Sequence, residues 1–412
     1  PLSTTGALGW MRENLFSGPF NSATTLVFLL IIVYLVIGLV AWSTSPTWSA
    51  ESLAECREMA GTDHGKACWG VIRDRWFQLL FGFYPVGSVW RPILAFVLLI
   101  ASLAPVLFPT VDRRLLWLTA AFPFIMPWLL WGGSLWGPIV AAAGFVIGFY
   151  VYRFAEPIVG GLGAIVLGPL AAIIWWLVLA GPLAGLLSDA IGIGLEPVPP
   201  RGFGGFMLSI TIGVVAIACS LPLGIVLALG RQSDLMIVKS LCVGFIEFIR
   251  GVPLITLLFV ASTLLNIFMP PGTNFDIILR VMIMATLFSA AYMAEVIRGG
   301  LAALPRGQYE GADSLGLDYW QAQRLIIMPQ ALKISIPGIV STFIGMFKDT
   351  TLVSVIGLLD PLGVSQGIRS NQEWSGIVWE LYGFVALMFF VFCFSMSRYS
   401  MYLERKLQTG HR

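Results

Sequence analysis

Between Glu295 and Lys333 the chain gathers polar and charged side chains into one island bounded by apolar segments on both sides. Within it Tyr309, Ala312, Leu315, Gly316, Tyr319 and Trp320 recur at helical spacing, and Gln308, Glu310, Asp313, Ser314, Asp318 and Gln321 fall between them. That pattern gives a short helix with one sticky face, whose chemistry is docking. Pro305 suits the first turn of this helix, Gly316 a sharp turn or close approach, and Pro329 the return toward the next apolar segment. Further on, Lys348, Asp349, Thr350 and Thr351 fall inside an apolar run. Charges in hydrocarbon are expensive, so Lys348 and Asp349 are expected to pair, face a cavity or meet a partner helix. One reading makes this patch part of a polar path through the membrane; the other makes it a structural ion pair. Asn266, Ser289 and Tyr292 are further path candidates, and Glu247, Arg250, Glu295 and Arg298 stand at span ends as a cytoplasmic gate or anchor.

Several chemistries are excluded or poorly supported. The string Gly61–Ala67, GTDHGKA, has three residues between its glycines and Ala67 after Lys66, whereas a phosphate-cradling loop needs four and a Ser or Thr. His64 and His411 are the only histidines, and with no Cys pair at ligand spacing no metal site is expected. An intramembrane enzyme needs a nucleophile, an acid–base pair or a metal cluster within the spans, and Lys348 beside Asp349 is too little. An ion-coupled secondary transporter would show matched broken helices in both halves, but the charged motifs are confined to the second half.

The elements that must hold these residues are membrane spans. With 58% hydrophobic and 11% charged residues over 412 positions, the chain reads as an all-α polytopic membrane protein. Its net charge of +2 is scattered and carries no nucleic-acid signal. At roughly 20 apolar residues per crossing, ten spans are expected, at 24–42, 92–109, 114–131, 136–151, 164–187, 206–229, 252–269, 277–294, 335–356 and 376–397. Pro1 is not followed by a charged region and a cleavage site, so the first apolar segment is expected to be retained. Placing the polar island in the cytoplasm puts both termini inside together with fifteen of the 24 Lys and Arg residues, which agrees with the positive-inside rule. The loop 43–91 is then extracytoplasmic, where Cys56 and Cys68 either pair or stay free in a mobile segment. Gly133 with Gly137, and Gly144 with Gly148, read as packing positions. Residues 188–205, rich in Gly and Pro, read as a linker between an N-terminal extension, 1–187, and a core, 206–397, followed by a tail, 398–412.

The second half resembles the core of a binding-protein-dependent ABC importer permease of the polar amino-acid uptake family. The stretch EFIRGVPLITLLF is similar to that family's E-x-x-RGTP-L segment, with Val252 in place of Thr. The island resembles its EAA loop, with Glu310, Gly311, Ala312, Gly316, Ile326, Met328 and Pro329 at the pattern's positions, Gly311 and Met328 departing from its Ala and Leu. The segments AYMAEVIRGG, LPRGQYEGADSLGL, MPQAL and FKDTTLVSVIG extend the likeness. The N-terminal half resembles the M-type subunit of the general L-amino-acid transporters. The resemblance implies a five-helix type I importer core in a bacterial inner membrane, with Gln308–Asp313, Leu315, Gly316 and Pro329 forming a cytoplasmic coupling helix seated on an ATPase. It also implies a dimer of ATP-binding subunits carrying ATP and Mg, a second permease subunit as a heterodimer partner, and a periplasmic amino-acid-binding protein. This chain itself would bind no cofactor.

Overall fold

The computed structural model describes residues 6–61, 65–264, 267 and 276–408. Asn266, His64 and His411 therefore lie outside the described residues. Among the described residues nine helices are long and apolar enough to cross a membrane, including Pro19–Ser43, Gly205–Arg231, Ile277–Ala302 and Trp379–Leu407. The pair Met236–Gly251 and Leu254–Thr263, bent by 103°, is a tenth, broken crossing or a re-entrant loop. The span expected at 252–269 begins at this break, and its residues 265, 266, 268 and 269 lie outside the described residues. Pro253 has no N–H to donate and biases Val252 away from helical backbone, and Val252 takes extended geometry, φ −109° and ψ 132°. The fourth span, read as 136–151, runs over Trp136–Gly161.

Packing divides the chain into one unit of residues 1–79 and 364–392 and a second of 80–363 and 393–412. This division does not follow the boundary at 188–205, because the core of the second unit joins Tyr84, Leu99, Phe122 and Met126 to Leu208, Ile212, Leu258 and Ile278. The stretch 188–205 is also tied down. Gly133–Ser134 and Gly194–Leu195 pair as a short antiparallel ribbon, and Val198 donates its N–H to the Trp131 carbonyl. Likewise helix Trp379–Gln408 runs on without a separate tail beginning at 398.

At the centre of the second unit stands Ile277–Ala302, with 61% of its apolar window buried against 33% in Gly205–Arg231. Lipid is as apolar as leucine, so membrane helices hold together through close van der Waals contact between small residues. A Cβ on Gly224 would lie 2.7 Å from the Met293 side chain, and one on Gly300 would lie 2.6 Å from the Ala331 carbonyl oxygen. Gly338 approaches Val296 in the same way. Gly144 and Gly148 make such contacts with Trp176 and Gly168, whereas Gly133 and Gly137 have nothing within 4 Å.

Contacts within this unit sort by membrane side as an alternating chain requires, with the bent pair counted as one crossing. Trp131 Nε1 donates to Asp276 at 2.7 Å and Gly204 bridges Leu359, joining chain ends assigned to one side. Tyr399 Oη donates to the Leu107 carbonyl at 2.6 Å, joining ends assigned to the other. On the first of these sides Asp360 is fully buried and accepts N–H bonds from Leu362 and Gly363. Burial outweighs those donors and pushes its carboxyl up to about 6.

The first unit is organised around a disulfide and a buried indole. Cys56 and Cys68 are joined, Cα–Cα 5.8 Å. Trp374 is fully buried and donates Nε1–H to Asp74 at 2.9 Å, while Arg75 pairs with Glu373 at 2.6 Å. Cys219, Cys242 and Cys393 remain as thiols. Maleimide labelling of the denatured protein should therefore count three thiols before reduction and five after it; five before reduction would contradict the bridge.

Candidate functional site

The polar island folds as a capped two-helix loop. Pro305 precedes helix Arg306–Ser314 with extended backbone, φ −59° and ψ 140°. Gly316 ends it in the left-handed region, φ +70°. The N–H of Leu317 reaches the Ala312 carbonyl and that of Gly316 the Asp313 carbonyl, the paired bonds of a Schellman cap. Asp318 then caps Tyr319–Ala322 in a reciprocal box with Gln321, its side chain accepting from the Gln321 N–H at 2.8 Å. The chain returns through Met328–Asp349, with Pro329 in the first turn of that helix. Gln330 Nε2 donates to Gln308 Oε1 at 2.9 Å and ties the two arms together.

The expected apolar face is divided. Tyr309 packs inward against the cluster containing Ile297, Leu301, Ile327 and Ala331, and Ala312 is buried, 1% exposed. Leu315, Tyr319 and Trp320 point outward, 73%, 54% and 70% exposed. Glu310, Gly311 and Asp313 are exposed beside them. Helical period finds the stripe, but it does not say which part the protein's own core takes.

Immediately before this loop lies a cluster of ions. Glu295, 16% exposed, accepts from Arg231 at 2.6 Å and from Arg298 at 2.9 Å, with Arg250 3.7 Å away. Arg231 also reaches Glu247 at 3.0 Å, and the Arg250 guanidinium lies 5.5 Å from the centre of the Tyr292 ring. The cluster fastens the ends of Gly205–Arg231, Met236–Gly251 and Ile277–Ala302 to one another. Sequence reading assigns Glu247, Arg250, Glu295 and Arg298 to span ends and misses Arg231 as their hub. The available signal is its position as the final residue of a long apolar run, where a cation also suits the helix C-terminus.

The path candidates separate. Ser289 is 2% exposed and its hydroxyl has no partner among the described residues, as is also true of the fully buried Ser209. A buried polar group with no partner in a membrane core fits a route that admits water or a polar ligand. Lys348 is exposed, Asp349 is half-buried where the helix passes into a 3₁₀ turn, and no ion pair joins them among the described residues. Thr350 is 1% exposed and its hydroxyl donates to the Phe347 carbonyl at 2.7 Å. That bond uses the hydroxyl's one proton and leaves its oxygen able to accept.

The described residues thus form a helical membrane core that carries a capped polar loop beside an arginine–glutamate cluster. Residues 220–409 match the family of binding-protein-dependent transport system inner membrane components, and the chain belongs to that family as a multi-pass ABC transporter permease subunit. It is 60% identical over 417 residues to the glutamate/glutamine/aspartate/asparagine transport system permease protein BztC of Rhodobacter capsulatus, covering 100% of this chain and 96% of that protein. The inner membrane amino-acid ABC transporter permease protein YhdY of Escherichia coli is 40% identical over 99% of this chain and 95% of its own. A solved amino acid ABC transporter with histidines is 31% identical over 48% of this chain and 91% of that chain, at a TM-score of 0.44.

Glu295→Gln should lower the thermal midpoint of the purified permease complex by an amount corresponding to about 2 kcal/mol, since it leaves three guanidiniums facing one remaining carboxylate. Glu247→Gln, at a carboxylate 54% exposed, should cost less than about 1 kcal/mol. Equal effects would contradict the central place of Glu295.

Proposed function

We propose that this chain is the membrane-spanning half of an ATP-driven importer for polar L-amino acids of the glutamate and glutamine class. The observation that carries this reading is the capped loop with its outward Leu315, Tyr319 and Trp320, set in a chain whose full length is similar to amino-acid permeases. That likeness also weighs against an ion-gradient mechanism. The loop lies on the cytoplasmic face of a bacterial inner membrane, with both termini on the same side. The positive-inside distribution supports this orientation, and so does the Cys56–Cys68 bridge, since disulfides persist on the oxidising side.

A dimer of separate ATP-binding subunits, carrying ATP and Mg, receives the loop. Leu315 and Trp320 enter a groove, and Glu310 and Asp313 meet donors at its rim, a helix-in-groove contact. Inward, Tyr309 rests on the core and Gln308 grips Gln330, so displacement of the loop is passed to Met328–Asp349 and Ile277–Ala302. The ion cluster keeps three helix ends together and serves as the cytoplasmic gate. A second permease subunit completes the path as a heterodimer, and a periplasmic binding protein delivers the amino acid. Within the path Ser289 and Tyr292 meet polar groups of the substrate, with Lys348 and Asp349 at the far end of their helix.

In proteoliposomes holding the whole transporter, Glu310→Lys and Gly316→Trp should each reduce binding-protein-stimulated ATP hydrolysis and L-glutamine uptake at least roughly tenfold, the loss expected for about 1.4 kcal/mol of coupling contact. Membrane insertion should be unchanged. Hydrolysis and uptake at wild-type rates in both variants would overturn the role given to the loop.

A further inference from the structure

A cavity of about 400 Å³ opens in the first unit, away from the residues discussed for transport. Its wall includes Trp42, near the end of Pro19–Ser43, and Trp379, which begins the last long helix. Indoles at span ends favour the level of the lipid headgroups. The bridged Cys56 and Cys68 hold the loop side of the wall. Three charged residues also line it, Glu380 and the cations Arg57 and Lys66. Glu380 is 7% exposed and accepts the Cys68 N–H at 2.8 Å with Oε1, while Oε2 has no protein donor among the described residues. Arg57 has neither a hydrogen bond nor an ion pair among the described residues.

The Glu380 carboxylate keeps acceptor capacity on the cavity wall for a donor that enters there. A guanidinium on the same cavity wall offers forked donors that suit a carboxylate or a phosphate. The volume lies within the range of small-ligand sites, roughly 300–1,000 Å³. We propose that this cavity binds a small zwitterion, whose primary ammonium donates to Glu380 and whose anionic group is held by Arg57. Two sources share that chemistry, a free α-amino acid and the headgroup of phosphatidylethanolamine. A choline headgroup does not, because a quaternary ammonium has no N–H for Glu380.

The test measures binding of glycerophosphoethanolamine, L-glutamine and glycerophosphocholine to the purified, delipidated transporter complex without its soluble binding protein. At least one of the first two should bind, and roughly tenfold more weakly in Arg57→Ala and in Glu380→Gln, as expected for one lost charge-assisted hydrogen bond. Glycerophosphocholine should bind at least roughly tenfold more weakly than glycerophosphoethanolamine if the lipid headgroup is the source. Whichever of the first two loses affinity in the variants identifies the source. Arg57 is exposed, so Arg57→Ala keeps the test valid even if Glu380→Gln fails to fold. Absence of binding by both primary-ammonium probes, or unchanged binding of both in Arg57→Ala, would overturn the proposal. So would a choline compound that binds as well as its ethanolamine counterpart.

Discussion

Close approach of backbones around Ile277–Ala302 is the constraint on which the transport unit depends. In lipid there is no general hydrophobic gain from bringing two helices together, so contact has to come from fit. Gly224 against Met293, Gly300 against Ala331 and Gly338 against Val296 supply that fit along the two neighbouring helices. The same helix carries Ser289 in its buried middle, Glu295 and Arg298 toward its end, and the polar loop directly after it. A path candidate, an ion cluster and a docking loop thus share one rigid element. Movement of one of them cannot leave the others where they were, since interiors packed at this density transmit displacement.

The loop itself is built to keep its shape outside the bilayer. Both short helices end in satisfied backbone groups, through the Gly316 Schellman bonds and the Asp318–Gln321 box. The Gln308–Gln330 bond then closes the gap between the outgoing and returning arms. Rigidity at this point matters because a flexible loop would absorb a push from a partner and pass little of it on. The division of its apolar residues follows the same logic. Tyr309 packs on the core and Ala312 is buried, whereas Leu315, Tyr319 and Trp320 stay exposed.

What could be read from the sequence depended on whether the deciding interactions were local. The polar island, the turn at Gly316 and the return at Pro329 are set by neighbouring residues and were legible. So was the pairing of Cys56 with Cys68 as one of two alternatives, and the structure forms the bond. The break at Pro253 was masked by a continuous apolar run on its far side, which looks like a straight span when only hydropathy is counted. Arg231 was overlooked because its partners, Glu247 and Glu295, lie on two other helices. Contacts distant in sequence also join residues on either side of the stretch 188–205, where Tyr84 and Phe122 share a core with Leu208 and Ile212.

Direct contact between the exposed end of the loop and an ATPase is the claim on which the functional account rests. It is tested most directly by placing a single cysteine at Leu315, 73% exposed, and measuring its labelling by a membrane-impermeant maleimide. The account predicts no labelling in sealed, right-side-out vesicles, rapid labelling in inverted membranes stripped of the ATPase, and protection when the ATPase is added back. Labelling from the outside, or equal labelling with and without the ATPase, would contradict it.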